Sequence, residues 1–191
     1  MTNQFDTKKY YQENSENYIN TTKNVDMSFQ YNLFIPRLKK GGCILDIGFG
    51  SGRDMLFFKE NGFQVFGIDN VSTFVQHGKS LGLKVEEKDY HQIDYENQFD
   101  GVWACASLLH SNDLDKAFAD IHTALKTDGI FYLSMKYGRG TNIVDGKFYR
   151  YIEEDDLKIL CDKYNFNILQ LSITDDLLHR KEKWLNAILK K

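Results

Sequence analysis

A chain of 191 residues, 42% hydrophobic and 14% aromatic, is long enough to bury one substantial core and too short for two domains of typical size. Its formal net charge of −3 argues against a surface that attracts nucleic acid or an anionic membrane without specificity, although a local basic patch stays open. The polar N-terminus resembles no signal peptide and no segment approaches the roughly 20 apolar residues of a membrane span, so we expect a cytoplasmic protein.

The first forty residues predict two helices. Residues 8–22 are polar, but Tyr11 and Tyr18 fall seven positions apart and therefore on one helical face. We interpret this segment as a short lid helix whose two tyrosines face a bound cofactor. Residues 28–38 show a second helical pattern of apolar residues, which a pair of glycines then ends.

From residue 43 onward, short apolar strands alternate with helical segments. This alternation is typical of an α/β fold, here a three-layer Rossmann-like sheet that is mostly parallel. The last two strands look like an antiparallel hairpin at the sheet edge. Because nothing marks a domain boundary, we expect one domain over residues 1–191, with lid helices in 1–40 and the Rossmann-like core in 41–191. The predicted strands are 43–47, 64–68, 83–87, 99–105, 130–135, 167–173 and 183–189, and the predicted helices of the core are 54–61, 72–80, 112–125 and 153–164.

Three glycines, Gly48, Gly50 and Gly52, lie between the first strand and the helix that follows it. Glycines at alternate positions let the backbone turn tightly and approach a ligand, while the N–H groups at the helix start face it. The loop therefore predicts a nucleotide-like ligand. A dinucleotide-binding loop would place its third glycine at Arg53, so the spacing argues against a nicotinamide oxidoreductase.

The segment ILDIGFGSGRD resembles motif I of class I methyltransferases that depend on S-adenosylmethionine (SAM). In that family an acidic residue at the end of the strand lies close to the methionine part of SAM, and Asp46 stands at this position. Asp69, at the end of the next strand, matches the position that hydrogen-bonds ribose hydroxyls. Asp89 and the backbone N–H of Tyr90 match the position that holds the adenine.

Each of these residues alone also fits a structural role, as a turn, a helix cap or a solvated carboxylate. Together, and in order at successive strand ends, they favour SAM. The candidate cofactor-binding residues are Tyr11, Tyr18, Asp46, Gly48, Gly50, Ser51, Gly52, Arg53, Asp69, Asn70, Asp89, Tyr90, Ala104 and Cys105.

The resemblance extends to the segments FDGVWACASLLH, LKTDG, LSMKYG and WLN, which are similar to a bacterial subfamily labelled tellurite-resistance-type or methyltransferase-domain proteins. It implies a seven-stranded sheet with a reversed last strand. Phe49 departs from the small residue or cysteine that is usual there, and Thr127 and Asp128 replace the beginning of a proline-glycine turn.

The loop after the fourth strand is expected to face the reacting part of the cofactor, since ligands of open α/β sheets lie outside the carboxyl ends of the strands. His110 is the candidate base because an imidazole titrates near neutral pH, and the alternative of a loop anchor stays open. Lys136, Tyr137 and Arg150 are candidates to close over a substrate, the two cations by holding an anionic group. The alternative for these three is a solvated rim.

The sequence thus predicts a methyltransferase that uses SAM, releases S-adenosylhomocysteine, and acts on a small molecule through an oxygen, sulfur, nitrogen or metalloid centre. A tRNA or protein substrate and a non-catalytic SAM-binding module remain alternatives. The three cysteines are widely spaced, so we expect reduced thiols and no metal. The segment ACAS replaces the Asp-Pro-Pro-Tyr type of motif, which argues against methylation of DNA amines. The sequence predicts neither the acceptor atom nor the oligomeric state.

Overall fold

One mixed β-sheet organises residues 6–191, which are the residues that the computed structural model describes. Over this range the strands are β1 Cys43–Ile47, β2 Gln64–Asp69, β3 Lys84–Glu87, β4 Phe99–Cys105, β5 Leu125–Tyr137, β6 Thr141–Val144, β7 Lys147–Ile152, β8 Asn167–Asp175 and β9 Lys183–Lys190. The helices are α1 Thr7–Thr22, α2 Ser28–Phe34, α3 Arg53–Glu60, α4 Ser72–Ser80, α5 Leu114–Ala124 and α6 Glu154–Lys163.

The strand order places a crevice between β1 and β4. Strands β3, β2, β1, β4 and β5 are parallel neighbours in that order, and β9 pairs with β5 antiparallel. The chain moves outward from β1 to β3 and then returns to the other side of β1 to form β4. At such a reversal the two connecting loops diverge, so a ligand cleft opens at the carboxyl ends of the strands.

Helices cover both faces of the sheet, and each face has its own apolar cluster. Strand β4 shows why, because consecutive side chains of a strand point to opposite faces. Val102 and Ala104 belong to the cluster under α5 and α6, while Trp103 belongs to the cluster under α2, α3 and α4. The fully buried Trp103 ring stacks on Tyr132 of β5 with 3.9 Å between ring centroids.

The expected α/β architecture, mostly parallel with a reversed final strand, is confirmed. Two differences concern the second half of the chain. Strand β5 begins at Leu125, earlier than expected, because Leu125 pairs with Phe99 across an irregularity in register. The hairpin of β6 and β7 was not predicted, although Asp145-Gly146 is a common turn pair between β-branched and aromatic residues.

The second predicted helix is also shorter than expected. Helix α2 ends at Phe34 and continues as a 3₁₀ turn over Ile35–Arg37, where Pro36 removes one backbone donor. None of the helices in residues 6–191 is both long and apolar enough to cross a membrane.

Candidate ligand-binding cleft

Two adjoining cavities open at the carboxyl ends of the central strands. The first cavity, of about 640 Å³, lies between the glycine loop, the end of β2 and helix α1. The second cavity, of about 850 Å³, lies between α1, α2, the end of β5 and the β8–β9 turn. The residues that line both cavities are Tyr11, Tyr18, Ala106 and His110.

The glycine loop forms part of the first cavity through Gly48 and Gly50. Their φ angles are +71° and +51°, a region that side chains disfavour. An added Cβ at Gly48 would lie 2.6 Å from Cβ of Ser107, and at Gly50 it would lie 2.8 Å from Cε1 of Tyr18. The loop therefore lets the lid helix and the loop after β4 approach closely.

Gly52 and Ser51 lie on the other side of this loop. A Cβ at Gly52 would meet the side chains of Leu81 and Leu83, and Ser51 lines a separate surface groove. Gly52, with a φ of +76°, serves the turn into α3. Neither residue lines the first or the second cavity, so their predicted contact with a cofactor is not reproduced.

Asp69 lies in the wall of the first cavity at the end of β2. Its Oδ2 accepts the N–H of Gly50 at 3.1 Å, and Oδ1 accepts the N–H of Val71 at 2.9 Å. Burial raises the pKa of this carboxyl to about 6, against the opposing effect of the two N–H donors. Each oxygen keeps a free lone pair, so the carboxylate is suited to accept the hydroxyl groups of a ribose.

Asp46 is 2% exposed, and its Oδ2 has no hydrogen-bond partner. Burial, followed by the neighbouring Asp54, raises the pKa of Asp46 well above its usual range, while Arg53 opposes the shift. An unsatisfied buried carboxyl destabilises a folded chain. Such a group fits a site whose ligand supplies a hydrogen-bond donor, as the amino group of SAM would.

The far end of the first cavity is formed by Asn70, Val71, Phe74, Lys88 and Tyr90. Asp89 lies beside this wall but does not line it. Its Oδ1 accepts the N–H of His91 at 2.9 Å, and its Oδ2 accepts Nδ2 of Asn70 at 2.8 Å. A direct contact of Asp89 with an adenine amine would require Asn70 to release it.

His110 connects the lid helix to strand β7. Its Nδ1 lies 2.6 Å from the carbonyl oxygen of Phe148, which can only accept, so Nδ1 carries the proton. Nε2 then accepts the hydroxyl of Tyr11 at 3.0 Å. Desolvation lowers the pKa of His110 to about 4. Of the two roles predicted for His110, the lowered pKa and the two hydrogen bonds favour the loop anchor over the base.

Only one of the three candidates around the end of β5 lines a cavity. Lys136 lines the second cavity, is 6% exposed, and forms an ion pair with Glu182. Arg150 lies elsewhere, where it donates to the carbonyl oxygens of Ser111 at 3.2 Å and Asn112 at 3.0 Å. Tyr137 follows Lys136 in the strand and thus points to the opposite face, where Glu154 is its hydrogen-bond partner.

After β4, the alanine that lines the cavities lies two positions beyond the predicted Ala104. Ala104 is fully buried in the sheet core, whereas Ala106, with a φ of +53°, lines both cavities. Cys105 lines the second cavity, and desolvation raises the pKa of its thiol to about 12. A thiol with so high a pKa is a poor nucleophile at neutral pH, which agrees with a packing role.

Arg53 also lines the second cavity rather than the first. Its Nε and Nη2 donate to the two oxygens of Asp54 at 2.7 and 2.9 Å, and Nη1 donates to the carbonyl of Thr22 at 3.2 Å. The coulombic attraction of Asp54 raises the pKa of Arg53 despite desolvation.

Several residues of the second cavity were not foreseen. They come from α2, β5, β7 and the β8–β9 region, so no local spacing links them to the glycine loop. Trp184 and Asn186 belong to a segment that the family resemblance had already indicated. The unforeseen residues include Gln30, Ser134, Tyr149, Asp176, Arg180, Trp184 and Asn186.

Comparisons with known proteins agree with this geometry. Residues 45–133 match the family described as "Methyltransferase domain". The chain is 31% identical over 103 residues to "Putative methyltransferase YqeM" of Bacillus subtilis (strain 168), an alignment covering 49% of this chain and 42% of that protein. It is 28% identical over 106 residues to "Sterol 24-C-methyltransferase erg6" of Aspergillus fumigatus, covering 49% of this chain and 28% of that one. The chain thus matches less than half the length of these relatives.

A similar solved structure is the 1,6-didemethyltoxoflavin-N1-methyltransferase of Burkholderia thailandensis, with bound 1,6-didemethyltoxoflavin and S-adenosylhomocysteine. The TM-score is 0.82 at 20% identity, over 96% of this chain and 86% of that one. The chain therefore has the Rossmann-like methyltransferase fold. These likenesses support the class I resemblance without singling out the tellurite-resistance-type subfamily.

Proposed function

We propose that the protein is a SAM-dependent methyltransferase that binds the cofactor in the first cavity and a small-molecule acceptor in the second. The observation that carries this proposal is the shared wall of Tyr11, Tyr18, Ala106 and His110, because a donor and an acceptor of a methyl group must meet at a common boundary. The product of the cofactor is S-adenosylhomocysteine. We treat residues 1–191 as one cytoplasmic domain, with lid helices in 1–40.

The residues of the first cavity fit the parts of SAM. Asp69 lines this cavity and holds the ribose hydroxyls. Asp46 lies two positions before Gly48 and does not line either cavity, and its unpartnered carboxyl would take the amino group of the methionine part once the cofactor is bound. Asn70, Val71, Phe74 and Tyr90 enclose the adenine. When bound, SAM supplies an electrophilic methyl group on a sulfonium centre.

The protein contributes position and exclusion of water. Methyl transfer is an in-line displacement that depends on alignment of the acceptor and on desolvation of the reacting groups. Helix α1 covers both cavities, and His110 holds Tyr11 of that helix in place. Lys136 stands in the wall of the acceptor cavity, where it shapes the site together with its partner Glu182.

A small acceptor is favoured over tRNA or protein because each lysine or arginine that lines the two cavities within residues 6–191 has a carboxylate partner. The basic side chains at the two cavities are neutralised locally: Lys8 pairs with Glu87, and Arg180 with Asp176. A phosphate backbone draws most of its binding free energy from unpaired lysine and arginine side chains.

Calorimetric titration with SAM, S-adenosylhomocysteine and NAD tests the cofactor. We expect binding of the first two ligands and no heat with NAD. A screen of acceptors, with S-adenosylhomocysteine production as the readout, then tests the reaction. Binding of SAM without turnover on any thiol, hydroxyl, amine or tRNA would favour the non-catalytic SAM-binding module, and turnover on tRNA alone would contradict the small-molecule assignment.

A further inference from the structure

The second cavity contains cationic side chains, but each has a carboxylate partner. The ammonium of Lys136 is almost completely removed from water, where an unpaired charge is strongly disfavoured, and Glu182 neutralises it. Asp175 adds an exposed carboxylate to the same wall. The three neutralised pairs are Lys136–Glu182, Arg180–Asp176 and Arg53–Asp54. An anionic ligand would therefore have to compete with carboxylates that already hold these cations.

Aromatic rings form much of the wall. The polar atoms of two of them are occupied within the protein, since the Tyr132 hydroxyl donates to Asn186 at 2.8 Å and Nε1 of Trp184 donates to Asp176 at 2.8 Å. Tyr132 is fully buried, whereas Trp184 and the other three tyrosines are partly exposed. The exposed ring surface in this wall favours flat aromatic partners. The aromatic side chains that line the second cavity are Tyr11, Tyr18, Tyr132, Tyr149 and Trp184.

Gln30 is a polar residue of this wall with an unpartnered side-chain atom. It is 4% exposed, lines the cavity, and its Oε1 has no hydrogen-bond partner. The next residue on α2, Tyr31, donates its hydroxyl to Asp54 at 2.5 Å and packs within the core, so the helix fixes the position of Gln30. A buried amide oxygen without a donor destabilises the protein until a ligand supplies an N–H or O–H group.

We propose that the acceptor is an uncharged, flat aromatic molecule with an N–H or O–H donor, and that Gln30 accepts its hydrogen bond. This inference rests on the proposed function, since it assigns the second cavity to the acceptor. It replaces the expectation that Lys136 holds an anionic group, because Glu182 already neutralises that ammonium.

Three matched ligands test this substrate class by calorimetry at pH 7 on protein saturated with S-adenosylhomocysteine. 2-Naphthol is uncharged and has a donor, 2-methoxynaphthalene is uncharged and lacks one, and 2-naphthoate is an anion. We expect 2-naphthol to bind roughly threefold to tenfold more tightly than 2-methoxynaphthalene, because one additional hydrogen bond contributes a net free energy of that size. We expect 2-naphthoate to bind most weakly.

Two variants identify the groups responsible. Gln30→Met keeps the side-chain volume and removes the acceptor, so it should abolish the difference between 2-naphthol and 2-methoxynaphthalene while S-adenosylhomocysteine affinity stays unchanged. Glu182→Gln leaves the Lys136 charge unpaired and should raise the affinity for 2-naphthoate. Glu60→Gln, which changes an exposed carboxylate at the end of α3, is the matched control and should change neither.

The inference is overturned if the parent protein binds 2-naphthoate as tightly as 2-naphthol, if it binds none of the three, or if Gln30→Met keeps the full preference for 2-naphthol. Failure of the proposed function looks different, because S-adenosylhomocysteine would then not bind in the preceding titration. In that event the three ligands are titrated into the protein alone, and the same comparison decides the chemistry of the cavity.

Discussion

The hydroxyl oxygen of Tyr11 lies 3.0 Å from Nε2 of His110, and the other ring nitrogen of His110 lies 2.6 Å from the carbonyl oxygen of Phe148. One neutral imidazole therefore joins the lid helix to strand β7. Because both ring nitrogens are engaged, this histidine cannot take a proton from an acceptor until Tyr11 has left Nε2.

Replacement of His110 should consequently resemble the loss of an anchor. We expect His110→Ala to lower thermal stability, SAM affinity and turnover together, by about 1 to 3 kcal/mol for the loss of two partly buried hydrogen bonds. Since the pKa of His110 is lowered to about 4, the parent's turnover should show no titration of this group between pH 6 and pH 8. Melting curves, calorimetry and a pH–rate profile measure these effects.

Tyr11→Phe is the matched control, because it removes only the hydroxyl that His110 accepts. It should reproduce part of the loss in SAM affinity. A His110→Ala variant that binds SAM normally but turns over 10² to 10⁴ times more slowly would instead identify His110 as a general base.

Asp69 should make cofactor binding depend on pH. Its pKa in the folded protein is raised to about 6, so the carboxylate becomes protonated as the pH falls through 6 and loses strength as an acceptor for ribose hydroxyls. We expect SAM affinity to fall by roughly tenfold between pH 7 and pH 5 in the parent, as a charge-assisted hydrogen bond is lost. Calorimetry across this range measures the change.

Asp69→Asn should bind SAM weakly at pH 7 and show little further loss at pH 5. Asp89→Asn is the comparison, since both oxygens of Asp89 already have partners within the chain. Equal pH dependence in the parent and in Asp69→Asn would exclude Asp69 as its source.

Substitution of Gly50 tests whether the glycine loop must approach the cofactor and the lid helix closely. Gly50→Ala should lower SAM affinity strongly, because its Cβ would lie 2.8 Å from Tyr18. It should also lower the stability by about 1 kcal/mol, since φ is +51°. Gly62 has a φ of +85° and no atom within 4 Å of an added Cβ, so Gly62→Ala should lose stability alone. Calorimetry and chemical denaturation separate the two effects, and equal SAM affinity of both variants would contradict the assignment of the loop.

The sequence predicted the sheet well because each strand and helix has its own local period and its own turn residues. The sequence also predicted that one cleft contains Gly48, Gly50 and Asp69, because the carboxyl ends of parallel strands meet at one edge of the sheet. The second cavity could not be predicted in this way. Gln30 and Trp184 lie more than 150 positions apart, and only the antiparallel return of β9 beside β5 places them in one wall.

Replacement of Asp46 should raise the stability of the protein without cofactor and weaken SAM binding. Burial raises its pKa above the unfolded value of 3.8, so as the pH rises past 3.8 the unfolded chain ionises first and the folded state loses relative stability. Asp46→Asn removes this loss. We expect the variant to be more stable than the parent at pH 7 without cofactor and to bind SAM more weakly, which denaturation with and without SAM measures. A variant that is less stable and binds SAM normally would contradict both expectations.

The lid helix should open to admit the cofactor, since α1 covers both cavities. Two contacts in the helix join it to the core, Tyr11 to His110 at 3.0 Å and Gln12 to Ser72 at 3.1 Å. Others hold its ends: Thr7 accepts the N–H of Phe148 at 3.0 Å, Lys8 pairs with Glu87 at 3.3 Å, and the Thr22 carbonyl accepts Arg53 at 3.2 Å. No residue of this helix is fully buried. Segments with few buried contacts unfold locally at a small free-energy cost, and a ligand that binds only the closed form suppresses that opening.

We therefore expect amide hydrogen exchange in residues 7–22 to slow by at least tenfold when S-adenosylhomocysteine is bound, while the buried strand β4 changes little. Tyr11→Phe should speed exchange in the free protein, because it removes one attachment, and should reduce the protection that the ligand confers. The same measurement on α6, which lines neither cavity, is the internal control. Equal exchange of residues 7–22 with and without the ligand would make α1 a fixed structural helix.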